Sequence, residues 1–274
     1  MKAHHVIFIA FGIIVIVAMF IPSAGKKASD KTMAVYNAID RLPEGSVVLF
    51  GADFEAANRA EMVPQMEALV RHMMRRHLKI VSISMWDQGP MFAERILRKI
   101  GDEEGLTYGI DYVNLGYAAG AQSMVRLLKD NIKAVYKTDF SGNKTDDMPV
   151  LKDIVGAGDV SLMVDLSDSP SGPTTYLEQI QSFKKDFRLV CGLTAASVPP
   201  IMPYVESGQI EGYIIGLKGA SEYEGLIGKK GLGTISLSAQ SVGQAMILIL
   251  ILIGNLAFLW IRKIKGKENA ELGK

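Results

Sequence analysis

The sequence predicts an α/β domain with a largely parallel sheet in three layers, of Rossmann-like or flavodoxin-like type, flanked by an N-terminal and a C-terminal transmembrane helix. Two observations predict it. Long uncharged apolar blocks stand near both ends of the 274-residue chain. Between them, short apolar runs rich in β-branched residues alternate with stretches of helical period, as expected of strands covered on both faces by crossover helices.

The first apolar block, residues 6–24, carries no charge. At about 1.5 Å of rise per residue it reaches nearly the ~30 Å of a bilayer core. It is longer than the ~7–15 apolar residues of a secretory signal. It is therefore expected to stay as an anchor behind a short cytoplasmic N-terminus, residues 1–5, rather than to be cleaved near Ser23 and Gly25. Residues 25–45 are polar and mixed, a linker leading into a short helix over 31–40.

The expected globular domain covers residues 46–230. Its strands are read at 46–51, 79–86, 111–115, 160–166, 188–193 and 212–217, and its helices at 56–77, 89–103, 121–136, 173–186 and 199–207. The first of these helices is the clearest. Met62, Met66, Leu69 and Met73 recur on one face, with Glu61, Arg71, Arg75 and Arg76 off it. Residues 138–149 form the longest polar insertion and are expected as an exposed loop.

The second apolar block is expected to span over 235–261, with an amphipathic lead-in. Trp260 followed by Arg262 and Lys263 reads as an interfacial residue and a stop signal. The tail 262–274 holds five basic residues against two acidic ones. Basic residues concentrate on the cytoplasmic side, so both termini are expected in the cytoplasm and the domain outside it, at the cell membrane. Lys26, Lys27, Lys31, Lys229 and Lys230 pull the other way. The spacing Ala239-x-x-x-Gly243 suits close helix approach and lateral self-association.

Composition narrows the chemistry. Between the anchors acidic residues slightly outnumber basic ones, with no basic cluster, which argues against nucleic acid as a partner. The bilayer, further copies of the chain or another membrane protein, and a small-molecule ligand are the partners expected. Cys191 is the single cysteine and lies in an apolar run, so neither a disulfide within the chain nor a cysteine metal site is expected. His72 and His77 are the domain's histidines, too few for a histidine cage or a serine–histidine–aspartate triad with a base to spare. No motif names a cofactor.

Ligands of open parallel sheets bind beyond the carboxyl ends of the strands. That rule selects Asp53, Asp87, Gly116, Gly120, Asp165, Ser167, Asp168 and Ser169 as candidate ligand-binding residues. The aspartates could converge on a divalent cation or work as an acid–base pair, or simply cap the helices that follow. Gly116 and Gly120 could offer backbone N–H groups to an anion, although their spacing is not a dinucleotide fingerprint. The hydroxyl-rich stretch 167–175 reads as a turn and helix cap or as a ligand loop. Residues 203–225 crowd glycines, tyrosines and acids, and Tyr204, Ser207, Gln209, Glu222 and Tyr223 are read there as a candidate interface.

Two functions follow. The first is a membrane-anchored assembly or binding module that self-associates. The second is a membrane-tethered hydrolase or transferase using strand-end carboxylates, with a divalent cation as one option. The absence of a strong catalytic motif places the first ahead.

Overall fold

The computed structural model describes residues 11–14, 16–17 and 27–272. The chain divides into two compact units, residues 25–234 and residues 1–24 with 235–274. In the first unit six strands, all parallel, form one sheet: β1 (Val47–Asp53), β2 (Lys79–Ser84), β3 (Tyr112–Tyr117), β4 (Leu162–Ser167), β5 (Leu189–Leu193) and β6 (Gly212–Ile215). Their order is β3-β2-β1-β4-β5-β6, so chain direction across the sheet reverses between β1 and β4.

Strand alternation sorts side chains onto two faces. Val48, Phe50, Ala52, Leu162, Val164, Leu166 and Val190 face one apolar cluster. Leu49, Met163, Leu189, Cys191 and Leu193 face the other. On the first face lie α1 (Asp30–Asp40), α2 (Arg59–Arg75), α3 (Gly89–Glu104) and α8 (Gly216–Leu226). On the second lie α4 (Gln122–Asp130), α5 (Ile132–Val135), α6 (Ser171–Tyr176) and α7 (Val198–Glu206). The stripe Met62, Met66, Leu69 and Met73 of α2 is wholly buried, and each such side chain contributes about 1.5–3 kcal/mol through burial.

The elements follow the sequence expectation, with instructive differences. The helix expected over 121–136 is two, because Asn131 takes an extended conformation and its side-chain oxygen caps α5 through the Ala134 N–H. The stretch expected as 173–186 is α6 followed by a π-helical turn, Leu177–Gln181. Residues 216–225, read as an interface cluster, form most of α8. The loop 138–149 is partly interior. Asp139 and Thr145 are buried, Asp139 accepts from the Ser141 and Asn143 N–H groups and the Tyr108 hydroxyl, and the Phe140 N–H donates to the Asn114 carbonyl on β3.

The last helix, α9 (Leu232–Leu272), begins in the first unit. Its orphan N–H groups meet a carboxylate from α8. Glu224 is buried and accepts from the N–H groups of Gly231 (2.9 Å), Gly233 (2.7 Å) and Thr234 (2.8 Å) and from the Thr234 hydroxyl (2.6 Å). An anion here satisfies the free donors and complements the helix dipole. The stretch Leu232–Leu256 is long and apolar enough to cross a membrane, and beyond its first turn no described residue of it is buried. The other expected span, 6–24, lies largely outside the described residues; 11–14, 16 and 17 are helical. Among the described residues, then, one helix qualifies as a span rather than the two expected.

Candidate functional site: a buried pair of carboxyl groups

The reversal of chain direction at β1 and β4 places the loops that follow these strands at a common edge. Register decides what they carry. Gly51 stands opposite Asp165 and Asp53 opposite Ser167. Asp53 and Asp165 are therefore diagonal neighbours on one face of adjacent strands, within reach of each other. Gly51 makes the room: a Cβ there would lie 2.7 Å from Asp165 Oδ1 and 3.2 Å from Asp53 Oδ2.

Both carboxyl groups are fully buried. Asp53 is well supplied with donors. Its Oδ1 accepts from the Met85 N–H (2.6 Å) and the Ser84 hydroxyl (3.2 Å), and its Oδ2 from the Tyr176 hydroxyl at the end of α6 (2.9 Å). Asp165 receives no N–H or hydroxyl on either oxygen. Two ionised carboxylates side by side in a dry site repel strongly, and neither is solvated. Burial pushes Asp53 up to about 6, against the pull of the Met85 N–H and the Tyr176 hydroxyl. Burial, then the Asp53 charge, holds Asp165 well above the usual carboxylate range. The Tyr136 hydroxyl is buried nearby without a partner, and burial and the Asp53 charge raise it.

The layer above this pair is closed. Gly172 of α6 packs directly on it: a Cβ there would lie 2.7 Å from Ser167 Cβ and 2.9 Å from Asp165 Oδ2. The loops are tied together through Asp168, whose Oδ2 accepts from the Glu55 N–H and Asn58 Nδ2, both at 2.8 Å. The Asp168 N–H donates to the Asp53 carbonyl (3.3 Å), and the Ser197 hydroxyl donates to the Asp168 carbonyl (2.7 Å). Gln88 Oε1 accepts from the Ala56 N–H (2.8 Å) and brings in the loop after β2.

The residues selected from sequence thus fall in several places. Asp53, Asp165, Ser167 and Asp168 come together. Ser167 and Ser169 serve a local turn, the Ser167 hydroxyl donating to the Ser169 carbonyl (2.7 Å). Asp87 is exposed and stays out of the cluster, because β2 ends at Ser84. Gly116 and Gly120 both have positive φ and belong to the β3 edge. There Leu115, Gly116 and Tyr117 face residues 134–140 across a cleft of about 450 Å³. Among the described residues no three histidine, cysteine, aspartate or glutamate side chains gather as a cation cage, so the strand-end aspartates do not converge in that way.

The candidate interface residues also separate. Ser207 and Gln209 are exposed and Tyr204 is half-buried, beside a shallow cleft that includes Gln181 and Lys185. Glu222 and Tyr223 are interior, because α8 packs against α1 and α2. Glu222 accepts from the Ser29 N–H (3.0 Å) and the Thr32 hydroxyl (2.8 Å), holding the start of α1. Tyr223 meets His72 Nδ1 at 2.7 Å.

Sequence reasoning missed Tyr176, Tyr136, Glu224 and the His72–Tyr223 pair. No local signal marks the tyrosines, because the carboxyl pair they lie near is brought together by strand register. Glu224 could have been found as the acid placed shortly before a helix that starts without a polar N-cap residue.

No family model matches this chain, and no curated protein matches it. Among solved structures, it is similar to the crystal structure of YagE, a prophage protein of the dihydrodipicolinic acid synthase family from E. coli K12, in complex with pyruvate. The identity is 15%, the TM-score is 0.21, and the match covers 78% of this chain and 63% of that one.

Proposed function

We propose that this chain is a membrane-anchored α/β module that binds partners and self-associates. The observation that carries the reading is α9, an uncovered apolar stretch, Leu232–Leu256, whose first turn is fastened to the globular domain by Glu224. A helix held in this way at the domain's edge suits an anchor whose load is the domain itself. The tied loops around Asp168 support a binding role over catalysis, since the strand ends offer no open path to the carboxyl pair. Tyr204, Ser207 and Gln209 supply a partly polar surface for a partner. Ala239 and Gly243 give α9 a small-residue face for lateral association.

The finer architecture belongs to this proposal. The strand order β3-β2-β1-β4-β5-β6 favours a Rossmann-like over a flavodoxin-like assignment. Residues 6–24 act as a second span, and the basic tail after α9 places both termini in the cytoplasm and the domain outside it. Mass photometry of the detergent-solubilised, full-length protein tests self-association. A discrete multimer is expected, and a monomer at all concentrations would overturn it.

A second reading rests on the carboxyl pair: a membrane-tethered hydrolase or transferase with Asp53 as base and Asp165 as acid. Turnover of chromogenic esters, phosphates or glycosides by the full-length protein, abolished by Asp53→Asn, would favour it. No turnover across that panel would leave the binding module ahead.

A further inference from the structure

We infer that Asp53 and Asp165 share one proton, and that this proton latches the segment from Asp168 through the π-helical turn down over the strand ends. The geometry is specific. Asp53 has three donors and Asp165 has none, so a hydrogen on Asp165 aimed at Asp53 gives Asp165 a bond and leaves a single charge on the pair. Gly51 brings backbone against both carboxyl groups and Gly172 brings it against Asp165, which leaves little room beside them.

The segment above depends on that hydrogen. Gly172 lies against Asp165, and Tyr176, four residues on, holds Asp53 by its hydroxyl. The helix then widens into a π-helical turn, Leu177–Gln181, an uncommon geometry that occurs mostly as single turns within helices. Loss of the shared proton would put two adjacent charges under Gly172, and lifting the segment is the way to hydrate them.

The groups facing the pair are Ser84 and the Met85 N–H after β2, Ser167 and Asp168 after β4, Cys191 on β5, Tyr136, and Tyr176 from α6. None of these carries a positive charge that could replace the proton. Burial, then the Asp53 charge, holds the proton on Asp165 well above the usual carboxylate range, so the latch opens as pH rises.

The test is hydrogen exchange of residues 168–181 in the detergent-solubilised full-length protein from about pH 6 to 10, corrected for the intrinsic rate. Protection in the wild type should fall by about tenfold per pH unit once the proton leaves. In Asp165→Asn, which carries its hydrogens at every pH, protection should stay flat. A flat wild-type profile, or the same decline in Asp165→Asn, would overturn the inference. If Asp165→Asn does not fold, infrared spectroscopy of the wild type decides. A protonated carboxyl band that bleaches at the pH where the segment loosens supports the latch, and no such band overturns it. Protection restored at high pH by calcium or magnesium, but not by choline, would show a cation between the carboxylates and equally overturn the shared proton.

Discussion

Glu224 grips Thr234 twice, accepting its backbone N–H at 2.8 Å and its hydroxyl at 2.6 Å with the same oxygen. Together with the Gly231 and Gly233 N–H groups, this makes one buried side chain the N-terminal cap of α9. No Ser, Thr, Asp or Asn precedes Leu232 closely enough to do so, since residues 228–231 are Gly, Lys, Lys and Gly.

Replacing Glu224 should therefore cost more than an ordinary surface cap. Glu224→Ala leaves three N–H groups and a hydroxyl without their acceptor, a loss of about 2–4 kcal/mol for charge-assisted bonds in a buried setting. For a domain of this size that lowers Tm by about 2–4 °C for each kcal/mol. Glu224→Gln keeps one acceptor and should lose roughly half as much. Calorimetry of the full-length protein in detergent checks both, and an unchanged Tm in Glu224→Ala would show that the carboxylate contributes nothing to the cap.

His72 should make the domain sensitive to acid. Its ring stacks on Tyr36, with centroids 4.6 Å apart, and sits between the Tyr223 hydroxyl and Asp40. Asp40 accepts only, so Nε2 carries the hydrogen and Nδ1 accepts from Tyr223. Burial lowers the ring's pKa, against the pull of Asp40. A depressed value means the folded protein resists a proton that the unfolded chain takes up. The stability this contributes is present above the unfolded value of about 6.5 and is lost as pH falls through the folded one. In His72→Gln that dependence disappears, so the Tm difference between wild type and variant should shrink from pH 7.5 to pH 5. A difference constant across that range would rule the histidine out. The carboxyl pair works in the opposite direction: with both values raised, its contribution is complete near pH 4 and declines as pH rises through about 6 and beyond. Comparison with the variant, rather than the wild-type profile alone, separates the two.

Asp168 is expected to govern local rather than global stability. It is half-buried, and its ties reach the loops after β1 and β5. Exposed hydrogen bonds of this kind are worth about 0.5–1.5 kcal/mol each. Asp168→Ala should lower Tm little, while the Glu55 amide exchanges several-fold faster because its acceptor is gone. Unchanged exchange at Glu55 would show that the loop is held by other contacts.

How far the sequence reveals this site depends on the range of each interaction. The strands were legible because burial on both faces writes itself as continuous apolar runs, and Asp53 and Asp165 were legible as carboxylates at the ends of such runs. Their pairing was not, because it depends on the register of β1 against β4, more than a hundred residues away along the chain. Tyr176 was illegible for the same reason, reaching Asp53 across 123 positions. The helix α8 hid behind its composition. Gly216, Gly219 and Gly225 suggest a loop by propensity, yet at Gly219 packing requires a small residue: a Cβ there would lie 3.0 Å from Ile214. Once α8 forms, Glu222 and Tyr223 turn inward, and the surface expected of them narrows to Tyr204, Ser207 and Gln209.

Two glycines of similar appearance should respond oppositely to the same substitution. Gly172 faces the carboxyl pair, and an alanine methyl there would come within 2.9 Å of Asp165 Oδ2 and 2.7 Å of Ser167 Cβ. Both neighbours belong to a fully buried strand and cannot withdraw. Overpacking of this kind costs about 1–3 kcal/mol, so Gly172→Ala should lower Tm and loosen α6 over the site. Gly225 lies in the last turn of α8 with nothing within 4 Å of a built Cβ. Its φ is not positive, so alanine there should stabilise the helix by up to about 1 kcal/mol. Thermal unfolding of both variants beside the wild type gives the answer. A Tm for Gly172→Ala at or above that of the wild type would mean that the segment over Asp53 and Asp165 is looser than its packing implies, and the closed-site reading would fall with it.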